Sequence, residues 1–143
     1  MEIALLTSDN LNFNDELSKY FLGSKELEHY NCLNKLKQVQ YLLGRIAVKQ
    51  AFFKFDSTKN FRYADIEIFN DKKGIPYTGL DKEIFCSISH SHNMALGSVS
   101  NEVIGLDIEK IKPHDDELLK YMSTTHEQQL FACGDKKELI TTI

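Results

Sequence analysis

Cysteine is scarce in this chain: Cys32, Cys86 and Cys133 are three residues, widely spaced, and no C-x-x-C pair occurs. An odd count without such a pair argues against a disulfide framework and against a zinc knuckle. Reduced thiols that pack as small apolar residues are the expectation. Long apolar runs are missing too, and the N-terminus has no basic region followed by an apolar one, so no spanning or signal segment is expected. Positive charge is not in excess. The formal net charge is −4, which implies no general attraction to nucleic acid or to an anionic membrane. Internal repeats and low-complexity segments are absent. What is left is a 143-residue chain of ordinary globular composition, large enough for a workable core and expected to be cytoplasmic.

Taken in order, Glu2 to Thr7 reads as a compact apolar strand. Asn14 offers an N-cap for a short helix stopped by Gly23, and a second short helix starts at Ser24. The strongest helix runs from Asn34 to Phe55. Leu36, Val39, Leu42, Leu43, Ile46, Ala47 and Phe53 form its apolar stripe, and Lys35, Lys37, Lys49 and Lys54 lie mostly off it. Gly44 interrupts the stripe, a sign that another backbone or a ligand comes close. Arg45 beside it reads either as a solvated residue or as an anion clamp. Ile66 to Phe69 marks a strand, Asn70 to Gly74 a turn, and Pro76 an extended restart. Ile84 to Ile88 is a strand that runs into Ser89-His90-Ser91-His92. Met94 to Ser98 and Val103 to Glu109 flank Ser100-Asn101-Glu102, which suggests a hairpin. Such a hairpin brings Ser89-His90-Ser91 towards Asp107 and Glu109. Beyond Pro113 the chain turns helical: His114 to Met122, a helix capped by Ser123 or Thr124 with Glu127 placed for a capping box, and a third segment from Asp135.

Val103 to Glu109 carries the chemistry that stands out. On a strand, Asp107 and Glu109 point the same way. Two carboxylates side by side repel, and a cation between them relieves that; oxygen-only ligands suit a hard ion such as magnesium. An exposed face with two solvated acids is the other reading. His90 has two readings as well, a hydrogen-bonded histidine at a strand end or an anion ligand.

Leu43-Gly44-Arg45, Gly74-Ile75-Pro76-Tyr77, Ser87-Ile88-Ser89-His90-Ser91, Gly105-Leu106-Asp107-Ile108-Glu109 and Tyr121 to Leu130, in this order, resemble the 4'-phosphopantetheinyl transferase superfamily, in its longer, carrier-protein-activating form. The resemblance covers nearly the whole chain. It implies an α+β fold, an antiparallel sheet with a long helix packed on it. Residues 1–112 would be the N-terminal transferase half-domain, and residues 113–143 the helical start of an incomplete C-terminal half. It implies transfer of the 4'-phosphopantetheine arm from coenzyme A to a serine of an apo acyl or peptidyl carrier protein. Asp107 and Glu109 take the catalytic magnesium by this resemblance. Arg45 and His90 hold the 3'-phosphate of coenzyme A with Ser89 assisting, and the turn with Gly74 and Pro76 lies against adenine. An imidazole beside a phosphate is favoured in its charged form, which suits His90 to that part.

The sequence departs from the family pattern twice. Ile75 stands where the family has lysine or arginine, with Lys72 and Lys73 the nearest basic substitutes. The third carboxylate, in a W-x-x-K-E-A-x-x-K helix, is not found, so the chain is expected to be truncated, with a homodimer covering the missing half. A non-catalytic homologue that binds coenzyme A or a carrier protein is the alternative function.

Overall fold

A computed structural model of the chain describes residues 1–58, 60–80, 83–110, 121 and 123–130. The expectations for a helix over His114 to Met122, for the segment from Asp135 and for Cys133 lie outside these residues. The chain divides into two compact units, Met1–Ile108 and Glu109–Ile143. The first unit is α+β. Its five strands are β1 (Glu2–Thr7), β2 (Ile68–Asn70), β3 (Pro76–Thr78), β4 (Phe85–Ser91) and β5 (Met94–Ser100). They form one sheet in the order β1-β5-β4-β3-β2, antiparallel throughout. Three helices precede β2: α1 (Asp15–Phe21), α2 (Ser24–Asn31) and α3 (Lys35–Phe55). In the second unit the described element is α4 (Thr125–Leu130), which follows Thr124. Among the described residues no helix is long and apolar enough to cross a membrane.

Local sequence explains where the helices begin. The Asn14 side chain accepts from Leu17 N at 2.8 Å and the Asn34 side chain from Lys37 N at 3.0 Å, so each satisfies an otherwise unpaired amide of the first turn. α3 then lies over β1, β5 and β4. Gly97 on β5 makes the approach possible: a Cβ there would stand 2.3 Å from Val48 N and 2.5 Å from the Ala47 carbonyl carbon. Val48, Ala51 and Phe52 of α3 close over Ala4, Cys86 and Val99 of the sheet. Leu42 and Ile46 meet Leu22 and the α1 side chains.

The structure corrects four sequence expectations. Leu36 is not part of the stripe; it is 71% exposed at the start of α3, before the helix reaches the sheet. Lys49 is not on an open face but fully buried, because the Glu26 carboxylate arrives from α2 to meet it. Cys86 is buried as expected, and burial pushes its thiol up to about 11, but Cys32 is exposed. The hairpin lies one element earlier than its sequence suggests. β4 pairs with β5 along their full lengths, from Phe85 opposite Ser100 to Ser91 opposite Met94, and His92-Asn93 makes the turn with His92 at φ 55°. Val103 to Glu109 carries no strand.

Candidate active site

A cavity of about 600 Å³ opens between α2, α3 and the β2–β4 part of the sheet, within the usual ligand-site range of about 300–1,000 Å³. Arg45, Gly74, Pro76 and His90 all line it. These residues come from one helix, one turn and two strands, and only the fold brings them together. β4 explains the position of His90. Side chains alternate along a strand, so Cys86, Ile88 and His90 face α3. Ile88 is also the neighbour that Gly44 accommodates, since a Cβ at Gly44 would lie 2.9 Å from Ile88 Cγ2.

Arg45 is 8% exposed, held on three sides rather than solvated. Its Nη2 donates to Asn70 Oδ1 at 2.7 Å. Its guanidinium carbon stands 4.5 Å from the centre of the Tyr41 ring, a cation–π arrangement. Its Nε lies 3.5 Å from Glu26 Oε1, a charge contact too poorly placed to be a hydrogen bond, and this Nε has no hydrogen-bond partner among the described residues.

Glu26 is the centre of a buried charge cluster. It accepts from Lys49 Nζ at 2.5 Å and from the backbone amides of Gly23 at 2.9 Å and Ile68 at 3.1 Å. Lys49 Nζ donates further to the Phe21 carbonyl at 2.6 Å. Burial pulls the Lys49 pKa below its ordinary value, and Glu26 works against that shift. One carboxylate thus faces Lys49 and Arg45 together, with Glu67 a second acid within electrostatic reach of Lys49. Lys25, with its Nζ 5.4 Å from the Phe69 ring centre, adds a cation to the lining. Lys72 and Lys73, the basic residues nearest Ile75, are exposed and are not among the residues that line the cavity.

Sequence reasoning missed Glu26, Lys25, His29, Tyr41 and Asn70 as lining residues. Asn70 was legible only as part of a turn, and α2 only as a short helix. One signal was present: Glu26 follows Gly23 by three residues, the position from which its carboxylate reaches back to accept from the Gly23 amide at the start of α2.

Ser89 takes the opposite face of β4 from His90 and does not line the cavity. Its hydroxyl donates to Asp107 Oδ1 at 2.5 Å and accepts from Ile108 N at 3.2 Å. Ser87 accepts from Leu106 N at 3.3 Å in the same way. The segment before Glu109 is therefore tied to β4 through serine hydroxyls spaced two residues apart, not through strand pairing. The Ser89 hydroxyl, and after it the Ile108 amide, hold the Asp107 carboxyl below its ordinary range. Asp107 is thus an exposed carboxylate with its charged form favoured by its neighbours. Glu109, also exposed, belongs to the second unit.

Over 86 residues the chain is 41% identical to a holo-(acyl-carrier-protein) synthase of Streptococcus suis, a match that covers 57% of this chain and 72% of that one. The chain belongs to the holo-(acyl-carrier-protein) synthase family of 4'-phosphopantetheinyl transferases. A Streptococcus mutans holo-(acyl-carrier-protein) synthase is likewise 41% identical, over 83 residues that make up 54% of this chain and 70% of that relative. No family model matches the chain. Among solved structures, the holo-(acyl-carrier-protein) synthase of Bacillus anthracis in complex with CoA (3',5'-ADP) superposes with a TM-score of 0.63 at 26% identity. That superposition covers 68% of this chain and 90% of the other. The five-stranded antiparallel sheet with its helices is the fold of these synthases.

Proposed function

We propose that the chain transfers the 4'-phosphopantetheine arm of coenzyme A to a serine hydroxyl of an apo acyl or peptidyl carrier protein. The observation that carries the proposal is the cavity that gathers Arg45, Gly74, Pro76 and His90, with the cations Arg45 and Lys25 in its lining. In the transfer, the serine oxygen bonds to the phosphorus that bears pantetheine. The bond from that phosphorus to the leaving oxygen of adenosine 3',5'-bisphosphate breaks, and the serine proton passes to a base. Arg45 and His90 would hold the 3'-phosphate. The Gly74–Pro76 turn would support the adenine. Ser89 would act on the ligand indirectly, by orienting Asp107.

Asp107 and Glu109 fit magnesium by donor chemistry: both are carboxylates, and Asp107 stays ionised well into acid because its pKa is depressed. When bound, the ion would supply neutralisation of charge on the pyrophosphate oxygens. Two carboxylates leave coordination positions for substrate oxygens and water, which magnesium readily keeps. Cytoplasmic residence, where coenzyme A and carrier proteins are found, accompanies this reading. A second copy of the chain is the proposed partner for β1, whose Ile3 and Leu5 are 41% and 55% exposed on the sheet face away from α3.

The test is a mass measurement on apo carrier protein incubated with coenzyme A, magnesium and the chain. The carrier is expected to gain one phosphopantetheine. Asp107→Ala is expected to lower the rate by about 10² or more, the scale on which removal of one charge-stabilising group acts. Equal slow transfer by wild type and Asp107→Ala would show that the chain does not catalyse the reaction. Calorimetric binding of coenzyme A with no mass gain would assign a binding role instead.

A further inference from the structure

We infer that Asn70 is a positioning residue that couples Arg45 to the Gly74–Pro76 turn, so that the two walls of the cavity act on a ligand as one unit. Asn70 is the last residue of β2, opposite Pro76 in the β2–β3 register. Its amide is used at both ends. The Oδ1 accepts from Arg45 Nη2 at 2.7 Å, and the Nδ2 donates to the Gly74 carbonyl at 2.8 Å. An amide suits this position because one side chain carries an acceptor for a guanidinium and a donor for a carbonyl.

The turn has its own internal support. The Asp71 side chain accepts from the amides of Lys73 and Ile75, both at 2.8 Å. The Asp71 amide donates to the Ile75 carbonyl and the Gly74 amide to the Asp71 carbonyl, both at 3.0 Å. Gly74 supplies the positive φ of 85° that closes the turn. The turn is therefore a small rigid body, and Asn70 is the side chain that joins it to α3. Arg45 in turn has its ring face covered by Tyr41 and its Nε edge beside Glu26. Without Asn70 the guanidinium keeps those two neighbours but loses the bond that fixes its rotation. The turn keeps its shape but loses its distance from Arg45.

This inference rests on the proposed binding of coenzyme A in the cavity. Two variants separate the two arms of the amide. Asn70→Ala removes both. Asn70→Asp keeps an acceptor for Arg45 but sets a carboxylate oxygen against the Gly74 carbonyl. Calorimetry with coenzyme A, and steady-state kinetics with coenzyme A and apo carrier protein varied in turn, supply the readouts. Asn70→Ala is expected to weaken coenzyme A binding about tenfold, on the scale of one lost hydrogen bond to a charged group. KM for the carrier and the thermal midpoint are expected to stay within error. Asn70→Asp is expected to fall between wild type and Asn70→Ala. In the Arg45→Ala background, Asn70→Ala is expected to cost much less than it does alone, because its partner is already gone. Full additivity in that cycle, or a loss that rises in step with a fall in thermal midpoint, overturns the coupling. Wild-type binding left unchanged by both variants overturns the inference and leaves the function standing. Absence of coenzyme A binding by the wild type overturns both.

Discussion

Arg45 illustrates how one side chain acquires a role from its neighbours. Its sequence position, beside a glycine in a long helix, allows a solvated residue as readily as an anion ligand. Tyr41, Asn70 and Glu26 exclude the solvated reading by holding it at 8% exposure on the wall of a cavity. Asp107 is governed by contacts of the same short range. Its pKa is depressed first by the Ser89 hydroxyl and then by the Ile108 amide. A carboxyl with a lowered folded-state pKa gains its stabilisation above the ordinary value of 3.8, and loses it as the pH falls through the depressed value. The tie between Ser89 and Asp107 is therefore intact at neutral pH and is lost only in acid. Ser89→Ala is expected to raise the Asp107 titration towards its ordinary value, measured by carboxyl-carbon NMR across an acid titration. An unchanged midpoint would mean that the hydroxyl does not hold the carboxylate. The nearness of Ser89-His90-Ser91 to Asp107 was expected from the sequence, through a hairpin that the structure places elsewhere; the Ser89–Asp107 hydrogen bond itself was not. The resemblance placed Ser89 and His90 at one ligand, and strand alternation in the structure sends them to opposite faces of β4.

Among the elements, α2 differs most from what its eight residues suggest. It begins with a backbone cap and delivers Glu26 to a site shared by α3 and β2. The carboxylate bridges Lys49 of α3 and the Ile68 amide of β2, so it fixes α2 to both layers. Replacing Glu26 leaves Lys49 and Arg45 buried together without the carboxylate that Lys49 donates to. Removing one partner from a buried charge set costs about 3–5 kcal/mol, so Glu26→Gln is expected to destabilise the fold on that scale in urea denaturation. Lys49→Met is expected to cost much less, because Glu26 keeps Arg45 and two backbone amides while the apolar methionine fills the space. Equal losses for the two variants would mean that the cluster acts by packing alone. The elements themselves were largely readable: Asn14 and Asn34 mark helix starts by capping, and the strand over Glu2–Thr7 follows from a local apolar run. Val103 to Glu109 was not, because its apolar alternation matches a strand while its hydrogen bonds run to serine side chains.

For the whole molecule, β1 is an edge strand of the sheet, and Ile3 and Leu5 are exposed on the face opposite α3. Exposed apolar edges promote association between chains. Sedimentation velocity over a concentration series is expected to show a dimer that Leu5→Glu shifts to monomer; a monodisperse wild-type monomer throughout would refute the proposed partner. The family is shown by identity that extends over more than half of this chain. By itself the sequence determined the starts of the helices and the turn at Gly74, while the α+β class and the residues proposed for phosphate and metal came only with the family resemblance its motifs carry. Caps, turns and periodicity act over a few residues, so they are written locally. The tertiary structure decided that Lys49 is buried, that Glu26 is its partner, that Ser89 turns away from the cavity, and that Asn70 joins Arg45 to the turn. Each of these depends on groups 18 or more residues apart, such as Ser89 with Asp107 or Arg45 with Asn70. Such pairs meet only once distant parts of the chain have packed together, and no local pattern records which side chain waits on the other side.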